Sequence, residues 1–286
     1  HRRISRLMAT INITGTGGII EGNLGAADVN VNLDPVYGNF NGSTSSVNAG
    51  SPTMFDDIFN GAGTITAWVH PKGLGGGSSG RIFDKSKWVL HLYTESNNVA
   101  KLRFFINEGD GVWTTTNNVL PFNAWSHVAV VYDGSSTSNN PVIYIDGVSV
   151  DVTEDDAPSA TIATEATSDL FIGNRSGADR GFNGYIMDAK IYKAAGLSSN
   201  QIPIAAAKIN QEPTLISTAS PKGWYKFNAS TTADSSGNSN TASASNISTE
   251  VYDEFRVDVY DGDDTKTTGT FTVTQGKVEC KALSSV

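Results

Sequence analysis

The most constraining feature of the sequence is the run Asn-Ala-Trp-Ser-His-Val-Ala-Val-Val-Tyr-Asp-Gly at residues 123–134. It is followed by Ile-Tyr-Ile-Asp-Gly at residues 143–147. Both segments are rich in β-branched and aromatic residues, and both end in Asp-Gly, a dipeptide that favours tight turns because Gly tolerates positive φ. The order is that of a buried strand, a turn, a second strand and a hairpin turn. Such a unit restricts the fold to one built on β-sheet.

The composition extends this prediction to the whole chain. A chain of 286 residues can bury a full core, as one large β domain or as one domain with a small appendage. Charged residues make up only 17% of the chain, and short alternating runs punctuated by Gly, Asn and Asp favour an all-β protein over a helical one. The net charge of −9 argues against a nucleic-acid partner, because phosphate binding needs a basic face. The single cysteine, Cys280, excludes an internal disulfide, and the sequence has no apolar segment of the roughly 18 residues that membrane insertion needs.

Strand-like runs recur at the spacing expected of a β-sandwich. They lie at 36–40, 64–69, 81–84, 88–93, 101–106, 126–132, 142–145, 169–172 and 185–192. A single helix is predicted over 197–210, with Ser198 or Ser199 as its N-cap.

Three regions follow from this pattern. Residues 1–34 form an N-terminal arm of weakly alternating strands, residues 35–210 form the sandwich, and residues 211–286 form a C-terminal β region. Within the last region, 223–227 is a strand, 234–240 is a turn, and a hairpin is expected between 255–259 and 271–273. The sequence leaves open whether this region completes the sandwich or stands apart.

Between residues 35 and 205 the sequence resembles the concanavalin A-like lectin/glucanase superfamily, in its laminin-G-like branch. The segments that carry the resemblance keep the order of the family: Asn-Phe-Asn-Gly-Ser at 39–43, Gly-Thr-Ile-Thr-Ala-Trp-Val-His-Pro at 63–71, the two runs described above, Leu-Phe-Ile-Gly-Asn at 170–174, and Phe-Asn-Gly-Tyr-Ile-Met-Asp-Ala-Lys-Ile-Tyr at 182–192. The resemblance implies a jelly-roll β-sandwich. The Trp-Tyr-Lys-Phe segment at 224–227 resembles one that precedes the first strand in the family, so here it either fills that strand's place from the C-terminal side or belongs to a separate unit.

The family includes glycoside hydrolases, which place paired carboxylates on one face of a strand in a Glu-x-Asp-x-Glu pattern. This sequence contains no such pattern. The consecutive cluster at 154–156 is predicted to be a solvated loop, and His127 is predicted to be a buried structural histidine. We therefore predict that the chain is not an enzyme.

The resemblance also implies calcium as a candidate cofactor, because lectin-like relatives hold Ca²⁺ in edge loops through carboxylate, amide and carbonyl oxygens. Residues at or near those loop positions are Asn39, Asn41, Asn174, Asp179 and Asp188. The alternative is that these residues shape turns.

Carbohydrate binding needs an exposed aromatic ring to stack on the sugar, together with polar groups for its hydroxyls. Trp113, with Asp110 and Asn117, is the preferred candidate site, and a packing role for Trp113 is the alternative. Trp68 and Trp125 are expected to lie in the core.

The main functional hypothesis is a non-enzymatic virion structural protein, a capsid decoration or fibre module. It would display a lectin-like jelly roll at the virion surface or outside the cell, as laminin-G-like modules of bacteriophage structural proteins do. Its partners would be other virion proteins or copies of itself, with cell-surface glycans as a further candidate. The alternative is a soluble or cell-surface carbohydrate-binding module, with or without Ca²⁺.

Overall fold

The computed structural model describes residues 37–194, 196–203, 220–227 and 232–250, together with the backbone of seven strands outside these ranges. Contacts divide the chain into two compact units. One comprises residues 1–35 and 251–286, and the other comprises residues 36–250.

The strands are, in chain order, β1 (Thr10–Asn12), β2 (Gly18–Asn23), β3 (Asp28–Leu33), β4 (Tyr37–Asn41), β5 (Ser46–Asn48), β6 (Ala62–Gly73), β7 (Arg81–Asp84), β8 (Trp88–Ser96), β9 (Val99–Ile106), β10 (Val112–Thr115), β11 (Leu120–Pro121), β12 (Ser126–Asp133), β13 (Val142–Ile145), β14 (Val148–Val150), β15 (Val152–Asp156), β16 (Phe171–Ile172), β17 (Asn183–Tyr192), β18 (Gly223–Tyr225), β19 (Ser243–Ser245), β20 (Ser248–Glu250), β21 (Arg256–Tyr260), β22 (Lys266–Thr267), β23 (Thr270–Thr274) and β24 (Lys277–Lys281). Short 3-10 helices lie at Thr53–Phe55, Gly76–Ser78 and Asn107–Gly109.

Residues 36–250 fold into two antiparallel sheets. Sheet I has nine strands in the order β15-β10-β9-β8-β7-β16-β5-β19, with β11 paired to β9. Sheet II has eight strands in the order β14-β13-β12-β6-β17-β4-β20, with β18 paired to β17. Their inner faces meet in one hydrophobic core, which confirms the predicted all-β jelly-roll sandwich.

Side-chain alternation explains how the two sheets form this core. Along β9 every second residue is buried, and along β6 Ile65, Ala67 and Val69 point into the core. The centre of the core is aromatic: the ring centroid of Phe59 lies 5.1 Å from that of Trp88 and 5.4 Å from that of Phe104. Each residue between two core positions of a strand is therefore placed on the outer face of its sheet.

The segment after residue 220 contributes strands to both sheets. β18 pairs with the end of β17 that β4 leaves free, β20 pairs with β4, and β19 pairs with β5. The predicted turn at 234–240 is organised by Asp234, whose carboxylate accepts hydrogen bonds from the backbone N–H groups of Trp224, Ser236 and Asn240. The strands β18, β19 and β20 thus complete the sandwich. The expected boundary at 210/211 falls among residues 204–219, which lie outside the described part of the chain, and stays a prediction.

The sequence located most of the long strands, and β7 and β13 have the predicted bounds. The predicted helix over 197–210 is present as a helical turn at 201–203, and residues 204–210 lie outside the described part of the chain. At its start the backbone N–H of Ser198 donates to Gln201 Oε1 at 2.8 Å, which is one half of a capping box.

The other compact unit is described by its strands. β2 and β3 form an antiparallel pair, β3 pairs with β21, and β1 pairs with β24. The predicted partner of β21 is wrong: β21 pairs with β22, whereas residues 271–273 lie in β23, which pairs with β24. Only five residues separate β21 from β22, so β22 is the first strand along the chain that can pair with β21. Within the described residues, no helix reaches the length and apolarity needed to cross a membrane.

Candidate functional site

The outer face of sheet II carries aromatic side chains near one end of the sheet. Trp68 alternates with the core residues Ala67 and Val69, and Trp125 immediately precedes β12. Both tryptophans are half-buried, so the expectation that they lie in the core is wrong. The cause is the two-residue period of a strand, which sends neighbours of inward residues outward.

Four rings form a contiguous cluster on this face, which we call the aromatic platform: Tyr37, His70, Trp125 and Tyr185. Cross-strand pairing places Tyr185 of β17 between His70 of β6 and Asn39 of β4. The ring centroid of Tyr185 lies 4.2 Å from that of Tyr37 and 5.2 Å from that of His70. Trp125 packs at 5.5 Å from Tyr37 and 5.4 Å from His70. These contacts hold each ring in place, while Trp125 and Tyr185 keep part of their surface accessible.

Polar groups surround the aromatic platform. The exposed Lys72 donates from Nζ to the hydroxyl of Tyr185 at 2.5 Å and lies 3.9 Å from the centre of its ring. Burial, opposed by hydrogen bonds to backbone carbonyls and reinforced by the charge of Lys72, lowers the pKa of His70. Its imidazole is therefore neutral at pH 7, and its Nδ1 has no hydrogen-bond partner among the described residues. The platform thus combines ring faces with an amine and a neutral imidazole.

Trp113, the sequence-based choice for sugar stacking, lies elsewhere. It belongs to β10 of sheet I, is 1% exposed, and donates from Nε1 to Asn140 Oδ1 at 2.8 Å. Its ring packs against Phe104 and Tyr132 in the core. An indole without an accessible face cannot stack on a sugar, so Trp113 has the alternative role of packing in the core. The sequence pattern does not predict a strand at 112–115, so it assigns no inward-facing position to Trp113.

The two companions of Trp113 have local partners. Asp110 accepts hydrogen bonds from the backbone N–H and the hydroxyl of Ser159, at 2.8 and 3.0 Å, and these bonds lower the pKa of its carboxyl. Asn117 is exposed, and its carbonyl oxygen accepts a hydrogen bond from the Thr115 hydroxyl. These contacts tie both residues to the loops around β10.

The structure brings Asn41 and Asn174 to one loop cluster, since both bond to the segment 43–45. Asn41 Oδ1 accepts from the backbone N–H groups of Ser43, Thr44 and Ser45. Asn174 donates from Nδ2 to the carbonyl oxygens of Ser43 and Ser45, and its Oδ1 accepts from backbone N–H groups. Both side chains therefore act as turn-forming groups.

The other residues considered for calcium are engaged differently. Asp179 forms a bidentate pair with Arg175, at 2.6 and 2.7 Å. Asp188 is buried with Lys190, and Asn39 lies within β4 in sheet II. An oxygen surrounded by N–H donors or paired with a guanidinium is a poor ligand for a divalent cation. The five residues do not fit a common calcium site, and the described residues contain no group of three or more carboxylate, His or Cys side chains placed to hold a metal.

The groups weighed for catalysis are also accounted for. Residues 154–156 are not a loop but part of the edge strand β15, with exposed side chains, and Asp155 accepts hydrogen bonds from Arg103 and Thr114. His127 is buried, as predicted, and burial lowers its pKa to about 3. The absence of enzymatic activity stays a prediction.

The fold and the aromatic platform define a lectin-like β-sandwich with a ring-lined outer face. Residues 41–202 match the laminin-G family model of the concanavalin A-like lectin/glucanases superfamily. This match spans more than half of the sequence, and the chain belongs to that superfamily. No curated protein matches the chain significantly.

Two solved structures share the fold. A candidate carbohydrate-binding protein from Bacteroides ovatus is similar with a TM-score of 0.59 and 17% identity, covering 78% of this chain and 61% of that chain. A heptameric SAP-like pentraxin from Limulus polyphemus is similar with a TM-score of 0.51 and 16% identity, covering 77% of this chain and 96% of that chain. At these identities the likeness concerns the fold alone. The chain spans about three fifths of the length of the Bacteroides ovatus protein.

Proposed function

We propose that the chain is a carbohydrate-binding module and that the aromatic platform of sheet II is its sugar-binding surface. The observation that carries the proposal is the half-buried pair Trp125 and Tyr185, fixed by Tyr37 and His70 beneath an exposed Lys72. Rigid aromatic side chains supply contact area at a low cost in conformational entropy, which suits them to anchoring roles.

The chemistry of the surroundings supports a sugar over a purely apolar ligand. A pyranose presents C–H groups on one face and hydroxyls around its edge. The rings of Trp125 and Tyr185 can pack against the C–H face, while the exposed ammonium of Lys72 can donate hydrogen bonds to hydroxyls. The description of the Bacteroides ovatus protein as a candidate carbohydrate-binding protein accords with this reading.

The proposal predicts that Trp125→Ala weakens binding of neutral oligosaccharides by about tenfold or more, because truncation of an aromatic anchor removes most of its contact. Binding would be measured by isothermal titration calorimetry of the full chain with gluco-, xylo-, arabino- and galacto-oligosaccharides. Trp125→Phe, which keeps a ring face, should retain most of the affinity.

Val148→Ala provides a control, since Val148 is exposed in the edge strand β14 of the same sheet and is not part of the platform. It should bind as the unmodified chain does. Equal affinities of Trp125→Ala and Val148→Ala for every bound sugar would place sugar binding elsewhere. Repeating the titrations in EGTA tests the separate prediction of calcium dependence.

Display of this module on a virion, with other virion proteins or further copies as partners, is a distinct prediction and is compatible with glycan binding. Electron microscopy of purified particles with an antibody raised against the chain would test it. Labelled particle surfaces are the expected result, and the absence of the chain from particles would contradict it.

A further inference from the structure

The outer face of sheet I carries a row of basic and aromatic residues. Cross-strand pairing aligns Arg81 of β7 with His91 of β8, and His91 with Arg103 of β9. Tyr93 and Phe105, both half-buried, flank the row: Arg103 lies 3.3 Å from the ring centre of Tyr93, and Arg81 lies 5.2 Å from that of Phe105. We call Arg81, His91 and Arg103 the basic row.

Arg81 is the unusual member of the basic row. Its side chain is buried, with 7% of the residue exposed. Despite this burial, its Nε and Nη1 atoms have no hydrogen-bond partner among the described residues. Asp84 Oδ2 lies 3.4 Å from Nε and neutralises charge without completing a hydrogen bond. Buried guanidinium donors are costly to leave unpaired, so native structures nearly always satisfy them. Arg103, by contrast, donates to both Thr114 and Asp155.

Two further arginines approach Arg81 from the segment 174–180. Burial and the charges of Arg175 and Arg180 lower the pKa of Arg81 to about 10, against the opposing effect of Asp84. Asn174 fixes the segment by accepting hydrogen bonds from the backbone N–H groups of both arginines. Three guanidinium groups and two carboxylates interact at this place: Arg81, Arg175 and Arg180, with Asp84 and Asp179.

We propose that the outer face of sheet I, at Arg81 and the adjoining Arg175 and Arg180, binds the carboxylate or sulfate group of an acidic glycan. An oxyanion supplies the acceptors that the Arg81 donors lack, in the planar geometry that guanidinium groups favour. The local excess of positive charge on a chain of net charge −9 makes this face the favourable place for an anion. The half-buried rings of Tyr93 and Phe105 border the site and can contact the sugar that carries the group.

This inference rests on the proposed carbohydrate-binding function but assigns a second surface, on the other sheet. The segment that holds Asn174 and Asp179, considered above for a cation, thereby contributes to an anion site instead.

The test compares glycans that differ only in charge. Titration calorimetry of the full chain would use oligogalacturonate against its methyl ester, and a sulfated galactan oligosaccharide against its desulfated form. The two pairs separate carboxylate from sulfate as the preferred group. At least one charged form should bind about tenfold or more tightly than its neutral counterpart, and Arg81→Lys should remove that difference because lysine keeps the charge but loses the planar donors.

Lys87→Gln is the matched control, because it removes one positive charge from the turn between β7 and β8, where Lys87 pairs with Glu108 and takes no part in the proposed site. It should leave the charged-over-neutral preference within about twofold. Arg180→Gln, at a half-exposed position, should reduce the preference and serves as the readout if Arg81→Lys does not fold. Equal affinities for charged and neutral forms, or equal effects of the substitutions at Lys87 and at Arg81 or Arg180, would overturn the proposal.

The two proposals fail in distinguishable ways. Neutral-glycan binding that depends on Trp125, without any preference for charged forms, removes only the anion site. A charge preference that depends on Arg81 and persists in Trp125→Ala, without neutral-glycan binding at the platform, removes only the platform. Absence of binding to every glycan removes both.

Discussion

His91 and His127 lie on the outer faces of different sheets, and both are kept neutral by their surroundings. Burial lowers the pKa of His91 to about 3, aided by the charge of Arg81, and burial lowers the pKa of His127 to about 3, aided by Lys190. His91 donates from Nδ1 to the carbonyl oxygen of Leu92 at 2.7 Å. Each histidine therefore resists protonation only while the chain is folded.

This predicts a loss of stability on mild acidification. In the unfolded chain the histidines take up protons as the pH falls through about 6.5, whereas in the folded chain they do so only near pH 3. Their stabilising contribution is therefore full above pH 6.5 and is lost as the pH falls towards 3. Between pH 7 and 5 the free energy of unfolding should fall by about 2 kcal/mol per histidine, measured by urea denaturation.

His127→Gln supplies the control, because it removes one titrating group. The pH dependence of the free energy of unfolding between pH 7 and 5 should be shallower in this variant than in the unmodified chain. Identical pH profiles for the two proteins would show that His127 does not titrate as its burial implies.

The five tryptophans show what the sequence could and could not predict about the site. The alternation around Trp68 contains enough information to place it outside the core, because Ile65, Ala67 and Val69 occupy the inward positions. No comparable pattern separated Trp113 from a loop residue, since the strand β10 has only four residues and follows a Gly-rich turn. The aromatic platform unites residues from β4, β6 and β17 with Trp125, which precedes β12, so tertiary pairing alone creates it.

At the scale of elements, β17 contains a break in its pairing register, and the residue at this break, Asp188, bonds to Trp224 of the neighbouring strand β18. Its pairing with β6 shifts register between Met187 and Lys190, and Asp188 has a φ of 53°. The Asp188 carboxylate is buried with the Lys190 ammonium at 2.6 Å and accepts a hydrogen bond from Trp224 Nε1 at 2.6 Å. This contact ties a strand from the C-terminal part of the unit to the centre of sheet II.

Lys190→Met should lower the free energy of unfolding by about 3–5 kcal/mol, because it leaves the Asp188 carboxylate buried without its cation. Denaturant unfolding of the purified variant would measure the change.

The double variant Asp188→Asn/Lys190→Met keeps an acceptor for Trp224 but removes both charges. It should recover part of the stability lost in Lys190→Met. A double variant less stable than Lys190→Met would contradict the interpretation that the uncompensated charge causes the loss.

Elements with strong local signals were predictable, and short edge elements were not. β13 ends at Ile145, directly before the turn Asp146-Gly147, where both residues have positive φ, so this hairpin signal predicts the end of the strand. β14, β15 and β5 are short or highly exposed and lack a clear alternating pattern. The late strands β18, β19 and β20 acquire their places only by pairing with strands distant in sequence.

At the scale of the molecule, residues 36–250 contain both complete sheets and both candidate surfaces. A fragment spanning residues 36–250 should therefore fold cooperatively and bind glycans with the affinity of the full chain, checked by thermal melting and titration calorimetry. A fragment that unfolds without cooperativity would show that the sandwich depends on the other unit.

The central claim is that this sandwich recognises glycans through the aromatic platform. The most direct measurement is a broad glycan array probed in parallel with the unmodified chain and with Trp125→Ala, each verified as folded by circular dichroism. The account predicts selective binding of a group of neutral glycans by the unmodified chain and loss of that group in the variant. A blank array for the unmodified chain, or the same pattern of binding for both proteins, would contradict it.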